Sequence, residues 1–390
     1  MLKLRPTALI ASLSICGLVL ASEALSQAPA AAAPAAATAP AAPPRPPPPT
    51  RPIDGPLAPK WTVISGAGQN APANQDGNFV IGPDYVQPAE MQVKAGVPMG
   101  LVKQFSMSSA DSRIYPKAIA REVFGTPDPA NFKTLIVETH ETTWERAITV
   151  YIPATYNKKK PLPLLVTHDG PKMGEPDMTL PRILDNLIAQ KRVPPMAVVM
   201  IQNGGGDAQG HQRGLEYDTM SGRFAEFIQS EVLPKVESSF NIRLTTDPEG
   251  RAAMGCSSGA AAAFSMAWYH PEWYHRIISY SGTFVNQQWP FDPATPGGAW
   301  EYAINLIPNN PAKPFRIWMH VGDRDLYFPN VMRDGMHDWV EANHRFAAAL
   351  KSKGYHYQYV YALDSPHCDR RVREQTLPAA LEYVWRGYRQ

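Results

Sequence analysis

The residues best suited to chemistry form the pentapeptide Gly255-Cys256-Ser257-Ser258-Gly259, which is a GxSxG pattern. The apolar residues before it predict a strand, and the alanine-rich residues after it predict a helix. A serine on a sharp, strained turn between a strand and a helix needs small residues two positions to either side. We therefore predict that Ser257 is a nucleophile. The alternative is a turn in which Ser257 only caps the helix.

An acid and a histidine follow later predicted strands, in the chain order Ser, Asp, His. Asp323 and Asp325 come after one such strand, and His367 comes after the next. This order at strand ends is typical of α/β hydrolases. His367 would take the proton of Ser257 and return it to a leaving alcohol, while the carboxylate would orient the imidazole. We favour Asp325 over Asp323 because its place further beyond the strand gives it more reach.

Two alternatives compete with this interpretation. None of the rival histidines comes after the predicted strand that His367 follows: His168, His320 and His337. A metal site built from Asp323, Asp325 and His367 would leave the serine turn without a purpose. We therefore expect neither a metal nor a cofactor.

An oxyanion formed at Ser257 would need two backbone amide donors. One should belong to Ser258, at the start of the predicted helix. The other should come from the loop after the predicted strand 163–167, hence from Asp169 or Gly170. Aromatic residues after the strand 276–281, Phe284 and Trp289 among them, are expected to line a substrate pocket or to lie in the core.

The pattern along the chain predicts an α/β fold with a mostly parallel, doubly wound sheet and an antiparallel start. Short apolar runs alternate with amphipathic ones. Predicted strands cover residues 101–107, 134–138, 146–152, 163–167, 197–201, 276–281, 315–321 and 355–363. Predicted helices cover residues 180–190, 221–240, 258–269, 332–354 and 371–387.

The N-terminus predicts export. Residues 1–26 have the charged start, the apolar run over 8–21 and the small-x-small end of a secretory signal, and that run is too short to span a membrane. Residues 27–60, almost wholly Ala and Pro, predict an extended linker. Residues 61–97 predict a loop-rich extension, and residues 98–390 the main domain. We expect a periplasmic or secreted protein.

The charge balance argues against a nucleic-acid partner. The formal net charge is +2, and no cluster of Lys and Arg with interleaved aromatic residues is present. Removal of the signal, which contains Cys16, leaves two cysteines, Cys256 and Cys368. In an oxidising compartment such an even pair is first interpreted as a disulfide.

An ordered set of motifs resembles the esterase family that includes enterochelin esterases, feruloyl esterase modules and mycolyl transferases. The similarity covers about residues 98–389, through residues 151–156, 168–170, 213–218, 255–259, 281–284, 322–326 and His367. The resemblance implies an α/β hydrolase with its acid at Asp325. It also suggests that Arg213 and Glu216 orient a loop beside the site and contact substrate, although structural pairing is an equal alternative.

The cysteines carry a second, local resemblance. Cys256-Ser257 and His367-Cys368, with Asp325 between them, look like the CS-D-HC motif of tannases and fungal-type feruloyl esterases. This resemblance implies a bridge between Cys256 and Cys368 beside the triad. The alternative is two buried free thiols.

The sequence therefore predicts an exported serine esterase that hydrolyses a small-molecule or glycan-linked ester through an acyl-enzyme. One alternative is an acyltransferase with the same triad. The other is a non-catalytic carbohydrate- or wall-binding module on a hydrolase scaffold, for which an intact Ser, Asp and His set would have no purpose.

Overall fold

The computed structural model describes residues 47–389. The predicted signal over 1–26 and the linker up to residue 46 lie outside these described residues. The ordered strands and helices therefore belong to the predicted extension and main domain. None of the helices between residues 47 and 389 has the length and apolar character needed to cross a membrane.

Fourteen strands are present in the described part of the chain. They are β1 (Thr62–Val63), β2 (Gly77–Ile81), β3 (Leu101–Ser108), β4 (Ala118–Ala120), β5 (Thr126–Pro127), β6 (Leu135–Ile136), β7 (His140–Thr142), β8 (Glu145–Ile152), β9 (Leu164–His168), β10 (Ala197–Ile201), β11 (Arg251–Cys256), β12 (Arg276–Tyr280), β13 (Arg316–Arg324) and β14 (His356–Pro366).

The α-helices are α1 (Thr179–Ala189), α2 (Gln212–Tyr217), α3 (Arg223–Phe227), α4 (Leu233–Phe240), α5 (Ser258–Tyr269), α6 (Ile307–Asn309), α7 (Trp339–Ser352) and α8 (Arg370–Trp385). Short 3-10 segments cover Ala89–Met91, Ser109–Asp111, Pro248–Gly250 and Gly298–Trp300, and π-helical turns cover Ile228–Val232 and Tyr302–Leu306. The π-helical turn at Ile228–Val232 joins α3 to α4 where Pro234 cannot donate a backbone hydrogen bond.

Ten strands form one sheet in the order β1-β2-β14-β13-β12-β11-β9-β10-β8-β3. Only β8 runs antiparallel to its neighbours, β10 and β3, while every other pair is parallel. The predicted parallel sheet with an antiparallel start is therefore confirmed. The carboxyl ends of β9, β11, β13 and β14 lie along one edge, where chemistry collects in such sheets.

The sequence builds this sheet because its central strands are apolar throughout. Every residue of β9 and of β10 is buried, which requires a helical layer on both faces. Phe264 of α5 belongs to the core on one face, and Leu184 of α1 and Leu381 of α8 belong to the core on the other. The alanine-rich start of α5 lets this helix approach the sheet closely behind the serine turn.

The N-terminal extension, predicted to be rich in loops, also lengthens the sheet. Strand β2 pairs in parallel with β14, and β1 pairs with β2. Trp61 stacks on Tyr361 of β14, with ring centroids 5.3 Å apart. Sequence inspection missed both strands because β1 has two residues and β2 opens with Gly and Asn, which are uncommon in strands.

Two other predicted elements differ in the structure. The predicted strand 134–138 shortens to β6, which pairs with β5 in a separate two-stranded sheet, and Ile136 is exposed. The predicted helix 332–354 begins only at Trp339, because Asp338 caps it by accepting the N–H groups of Val340 and Glu341.

Candidate active site

Ser257 lies on a strained turn between β11 and α5. Its φ is 61°, which places a non-glycine residue in the left-handed region. A Cβ at Gly255 would lie 2.2 Å from the carbonyl carbon of Gly259, and a Cβ at Gly259 would lie 2.9 Å from Cβ of His168. Both glycines are therefore required by close backbone approach, as the GxSxG pattern predicts.

His367 follows β14 and contacts Asp325, which follows β13. Nδ1 of His367 is 2.5 Å from Oδ1 of Asp325, and that oxygen also accepts the N–H of Leu326 at 2.7 Å. Asp323 instead accepts the N–H of Ser365 at 3.0 Å. Of the two acids considered from the sequence, Asp325 is therefore the one paired with the histidine.

The buried Asp325 carboxyl remains ionised beside His367. Burial alone would raise its pKa, but the charge and hydrogen bond of His367 lower the pKa below the usual range. An ionised carboxylate only accepts hydrogen bonds, so Nδ1 of His367 donates the proton in this contact. Nε2 of a neutral His367 then carries the free lone pair.

A disulfide joins Cys256 and Cys368, with their Cα atoms 6.1 Å apart and 112 positions apart in sequence. The structure therefore contains the bridge that the local resemblance implies, rather than two free thiols. Cys256 precedes Ser257 and Cys368 follows His367. The bridge consequently holds the histidine loop against the serine turn, although these segments are far apart in the chain.

The Ser257 hydroxyl contacts Thr283 in this structure. The two hydroxyl oxygens are 3.3 Å apart, and Thr283 Oγ1 also accepts the indole N–H of Trp339 at 3.1 Å. Among residues 47–389, Ser257 makes no hydrogen bond to His367. Reaction geometry would therefore require rotation of the serine side chain, which is common because such contacts tighten only when substrate is bound. Thr283 as a serine partner was missed from sequence.

The amide donors predicted after β9 are already used by the fold. The Gly170 N–H donates to the carbonyl of Ile201 at 2.9 Å, so the contact with β10 continues two residues beyond the end of β9 at His168. Asp169 donates to the hydroxyl of Tyr217 at 3.2 Å. Pro171, the next residue, has no N–H. Both predicted amides therefore have acceptors in this structure, and either would have to release its acceptor to serve as an oxyanion donor. Their role as donors stays a prediction.

The amides at the start of α5, unlike those after β9, have no acceptor within their own helix. Ser258 and Gly259 lie in the first helical turn, where an α-helix offers their N–H groups no acceptor. The Ser258 hydroxyl donates to Asp218 at 3.1 Å, and Gln287 donates to both Asp218 and Ser258 at 3.0 Å. This network fixes the predicted Ser258 donor. Burial raises the pKa of Asp218 to about 7, despite hydrogen bonds from Gln287 and Ser258 that lower it.

The four predicted substrate-binding residues fall into two groups. Glu216 is buried and forms an ion pair with Arg146, and Phe284 is buried with its ring stacked on Phe346 at 3.9 Å. In this structure both side chains pair with neighbours inside the fold, and substrate contact by them stays a prediction. Arg213 holds the Asp169 carboxylate in two hydrogen bonds of 2.8 and 3.0 Å, and Trp289 is half-buried.

The rival histidines have structural partners or are enclosed. His168 Nδ1 bonds to the carbonyl oxygen of Met254 at 2.9 Å, and His337 Nδ1 lies 3.0 Å from Asp334. His320 is fully buried, and its ring nitrogens have no partner among the described residues. Burial lowers the pKa of His168 and of His320 to about 4, so both are neutral at pH 7.

A cavity of about 450 Å³ opens beside the serine turn, on the face of the sheet that carries α1 and α8. Its wall includes Cys256 and the loop residues Asp169 and Gly170. Met200 and Leu377 supply apolar lining, and Arg373 lies at its edge. The cavity therefore adjoins both the disulfide and the loop that precedes α1.

These features define an α/β hydrolase. The sheet is doubly wound with one antiparallel strand, and the serine lies on a strained turn after a central strand. The acid and the histidine lie after later strands of the same sheet. The family model described as "Putative esterase" matches residues 139–374, which is more than half of the chain. The chain belongs to this family of carboxylic ester hydrolases.

Solved structures of esterases share the fold. A ferulic acid esterase is 17% identical, with a TM-score of 0.50, and the alignment covers 74% of this chain and 100% of that one. The CE1 ferulic acid esterase of Anaeromyces mucronatus is 13% identical, with a TM-score of 0.50 and coverage of 76% and 96%. Ferric enterobactin esterase from Salmonella typhimurium is 17% identical, with a TM-score of 0.51. That alignment covers 77% of this chain but 62% of the enterobactin esterase, so less than two thirds of that protein is matched.

Proposed function

We propose that this carboxylic ester hydrolase is a serine esterase with Ser257 as nucleophile, His367 as general base and acid, and Asp325 as the orienting carboxylate. The observation that carries the proposal is the 2.5 Å contact between His367 and Asp325, on a loop that a disulfide holds against the Ser257 turn. Ser257, Asp325 and His367 follow three strands of one parallel sheet edge, so their proximity follows from the fold.

In the proposed reaction, Ser257 Oγ rotates from Thr283 toward His367 and gives its proton to Nε2. The oxygen attacks the ester carbonyl carbon, and the C–O bond to the alcohol then breaks as the alcohol takes the proton from His367. An acyl group remains on Ser257. Water repeats the sequence, giving its proton to Nε2, releasing the acid and restoring the serine.

The oxyanion formed during attack would be stabilised first by the amides of Ser258 and Gly259 at the start of α5. The cavity beside Asp169 and Cys256 is large enough for one part of an ester. The proposed substrate is a small-molecule or glycan-linked ester. We also propose that residues 1–26 direct export to a compartment in which the disulfide can form.

Replacement of the proposed nucleophile tests this function directly. Ser257→Ala should lower kcat for an aryl ester by about 10⁵-fold or more, because no acyl-enzyme can form. Ser230→Ala is the matched control, since Ser230 is an exposed serine that bonds only to the carbonyl of Glu226. Circular dichroism and the melting temperature of both variants should equal those of the wild-type protein. Retained turnover in purified Ser257→Ala would contradict the proposal.

Acyl transfer with the same triad is distinguished by the products. A reaction of an activated ester with and without a sugar acceptor should release free acid at the same rate if water is the acyl acceptor. Formation of the sugar ester in excess of free acid would assign a transferase.

A further inference from the structure

Ser281 lies directly after β12, the strand next to β13, whose following loop carries Asp325. Its side chain is fully buried, and its φ of 45° places the residue in the left-handed region. Its N–H donates to the carbonyl of His320 in β13 at 2.8 Å. The residue is thus fixed at the edge of the sheet by its backbone, and a non-glycine residue is kept there in a conformation that costs free energy.

The Ser281 hydroxyl is attached to the histidine loop. Its Oγ accepts the N–H of Cys368 at 3.0 Å, and Cys368 is the residue after His367. Cys368 also has a left-handed φ of 54°. Because the hydroxyl oxygen is the acceptor in this contact, its own hydrogen is available to another acceptor.

We take the Asp325 carboxylate as the acceptor of that hydrogen, because one of its oxygens is buried and unpaired in the described residues. Oδ1 of Asp325 is occupied by His367 and Leu326, whereas Oδ2 is buried and lacks a partner of normal geometry in the described part of the chain. The Ser281 hydroxyl nevertheless lowers the pKa of Asp325 through a hydrogen bond. A hydroxyl hydrogen rotates freely about the Cβ–Oγ bond, so the Ser281 hydrogen can turn toward this unpaired oxygen.

We propose that Ser281 is a positioning residue for the acid and the histidine, with its hydroxyl accepting from Cys368 and donating to Asp325. It would link the loop after β13 to the loop after β14 in addition to the contact between Asp325 and His367. The disulfide attaches Cys368 to the serine turn, and Ser281 attaches the same residue to the acid. This inference rests on the proposed triad.

Ser281→Ala tests the role, with Ser279→Ala as the matched control. Ser279 lies two residues earlier, is equally buried, and its hydroxyl has no partner among residues 47–389. Loss of a hydrogen bond to a buried carboxylate should lower kcat by roughly 10- to 100-fold in Ser281→Ala, with KM within about twofold. Ser279→Ala should keep the wild-type kcat.

The pH profile separates positioning from a merely structural effect. A carboxylate with one donor fewer holds the charged imidazolium more strongly, so the acidic limb of kcat/KM should move to higher pH in Ser281→Ala. An unchanged limb with an unchanged kcat would overturn the inference. Lower stability without a shift of this limb would assign Ser281 to packing alone, and would also overturn it.

A second measurement distinguishes a failure of this inference from a failure of the proposed function. In protein labelled with ¹⁵N-histidine, the His367 signal can be identified by its loss in His367→Gln. Its titration should move to higher pH in Ser281→Ala and stay in place in Ser279→Ala. A wild-type protein without esterase activity would contradict the function, whereas an unmoved His367 titration would contradict the role of Ser281.

Discussion

The two sides of Ser257 are built differently. On the histidine side, a disulfide, the contact between Asp325 and His367 and the bond from Cys368 to Ser281 hold the loops after β13 and β14 together. On the oxyanion side, the loop after β9 uses its amides for the fold, with Gly170 bonded to Ile201 and Asp169 bonded to Tyr217.

This difference separates two requirements of the proposed catalysis. The general base has its orientation before substrate arrives, so little reorganisation is required of His367. Within residues 47–389, the proposed oxyanion donors without an acceptor in the helix are those at the start of α5, where Asp218 and Gln287 hold the Ser258 side chain. Changes on the histidine side should therefore affect turnover most, and changes on the oxyanion side should appear first in stability.

Of the changes on the two sides of Ser257, Asp325→Asn should have the largest effect. An amide in place of the carboxylate neither favours the correct tautomer of His367 nor stabilises its cation, so kcat should fall by about 10⁴-fold with little change in KM. Asp323→Asn is the control, because Asp323 contacts Ser365 and not His367. Steady-state kinetics on an aryl ester provide the measurement. A similar loss in both variants would show that the acid has been assigned wrongly.

Removal of the disulfide should have the next largest effect. The double variant Cys256→Ala/Cys368→Ala loses a crosslink between residues 112 positions apart, which stabilises by roughly 4 to 5 kcal/mol on the loop-entropy model. Denaturant unfolding measures the free energy of unfolding in the variant and in the wild-type protein. The wild-type protein under reducing conditions should approach the variant. A difference below about 1 kcal/mol would show that other contacts hold the histidine loop.

The smallest effect concerns Asp218 on the oxyanion side and depends on pH. Its folded-state pKa is raised from 3.8 to about 7, so the native protein keeps a proton that the unfolded chain loses. The corresponding stability is present below about pH 4 and is lost as the pH rises through about 7, by up to about 4 kcal/mol. Asp218→Asn should remove this pH dependence. The free energy of unfolding of the variant, relative to that of the wild-type protein, should therefore be higher at pH 8 than at pH 4.

The exposed Asp54→Asn serves as the control for Asp218. Its unfolding free energy should follow the wild-type pH dependence. Parallel curves for Asp218→Asn and wild type between pH 4 and pH 8 would show that the Asp218 carboxyl is already charged in the folded protein.

The features that depend on local residue types and on the order of motifs along the chain could be predicted from the sequence. Buried strands such as β9 and β10 are apolar runs, and the serine turn requires glycines on both sides, so both features can be predicted from local residue types. Asp325 rather than Asp323 pairs with His367, which agrees with the expectation that the residue further beyond the strand can reach the histidine. The family match over residues 139–374 confirms the esterase resemblance.

The rest could not be predicted because it depends on contacts between distant segments. Nothing near Ser281 indicates that its hydroxyl meets the amide of Cys368, 87 positions away. Likewise, residue types cannot show that the Gly170 N–H donates to the carbonyl of Ile201, or that the Asp169 N–H donates to the hydroxyl of Tyr217. Strand β2 pairs with the edge of β14 and β1 pairs with β2, while the residues of both strands give little signal of their own.

Labelling with a fluorophosphonate tests the central claim most directly. The signal-free protein is treated with one equivalent, digested under non-reducing conditions and examined by peptide mass spectrometry. The account predicts a single label on Ser257, in a peptide joined through Cys256 to the peptide of Cys368. A protein that stays unlabelled under conditions that label a known serine esterase, or a label on another serine, would contradict it.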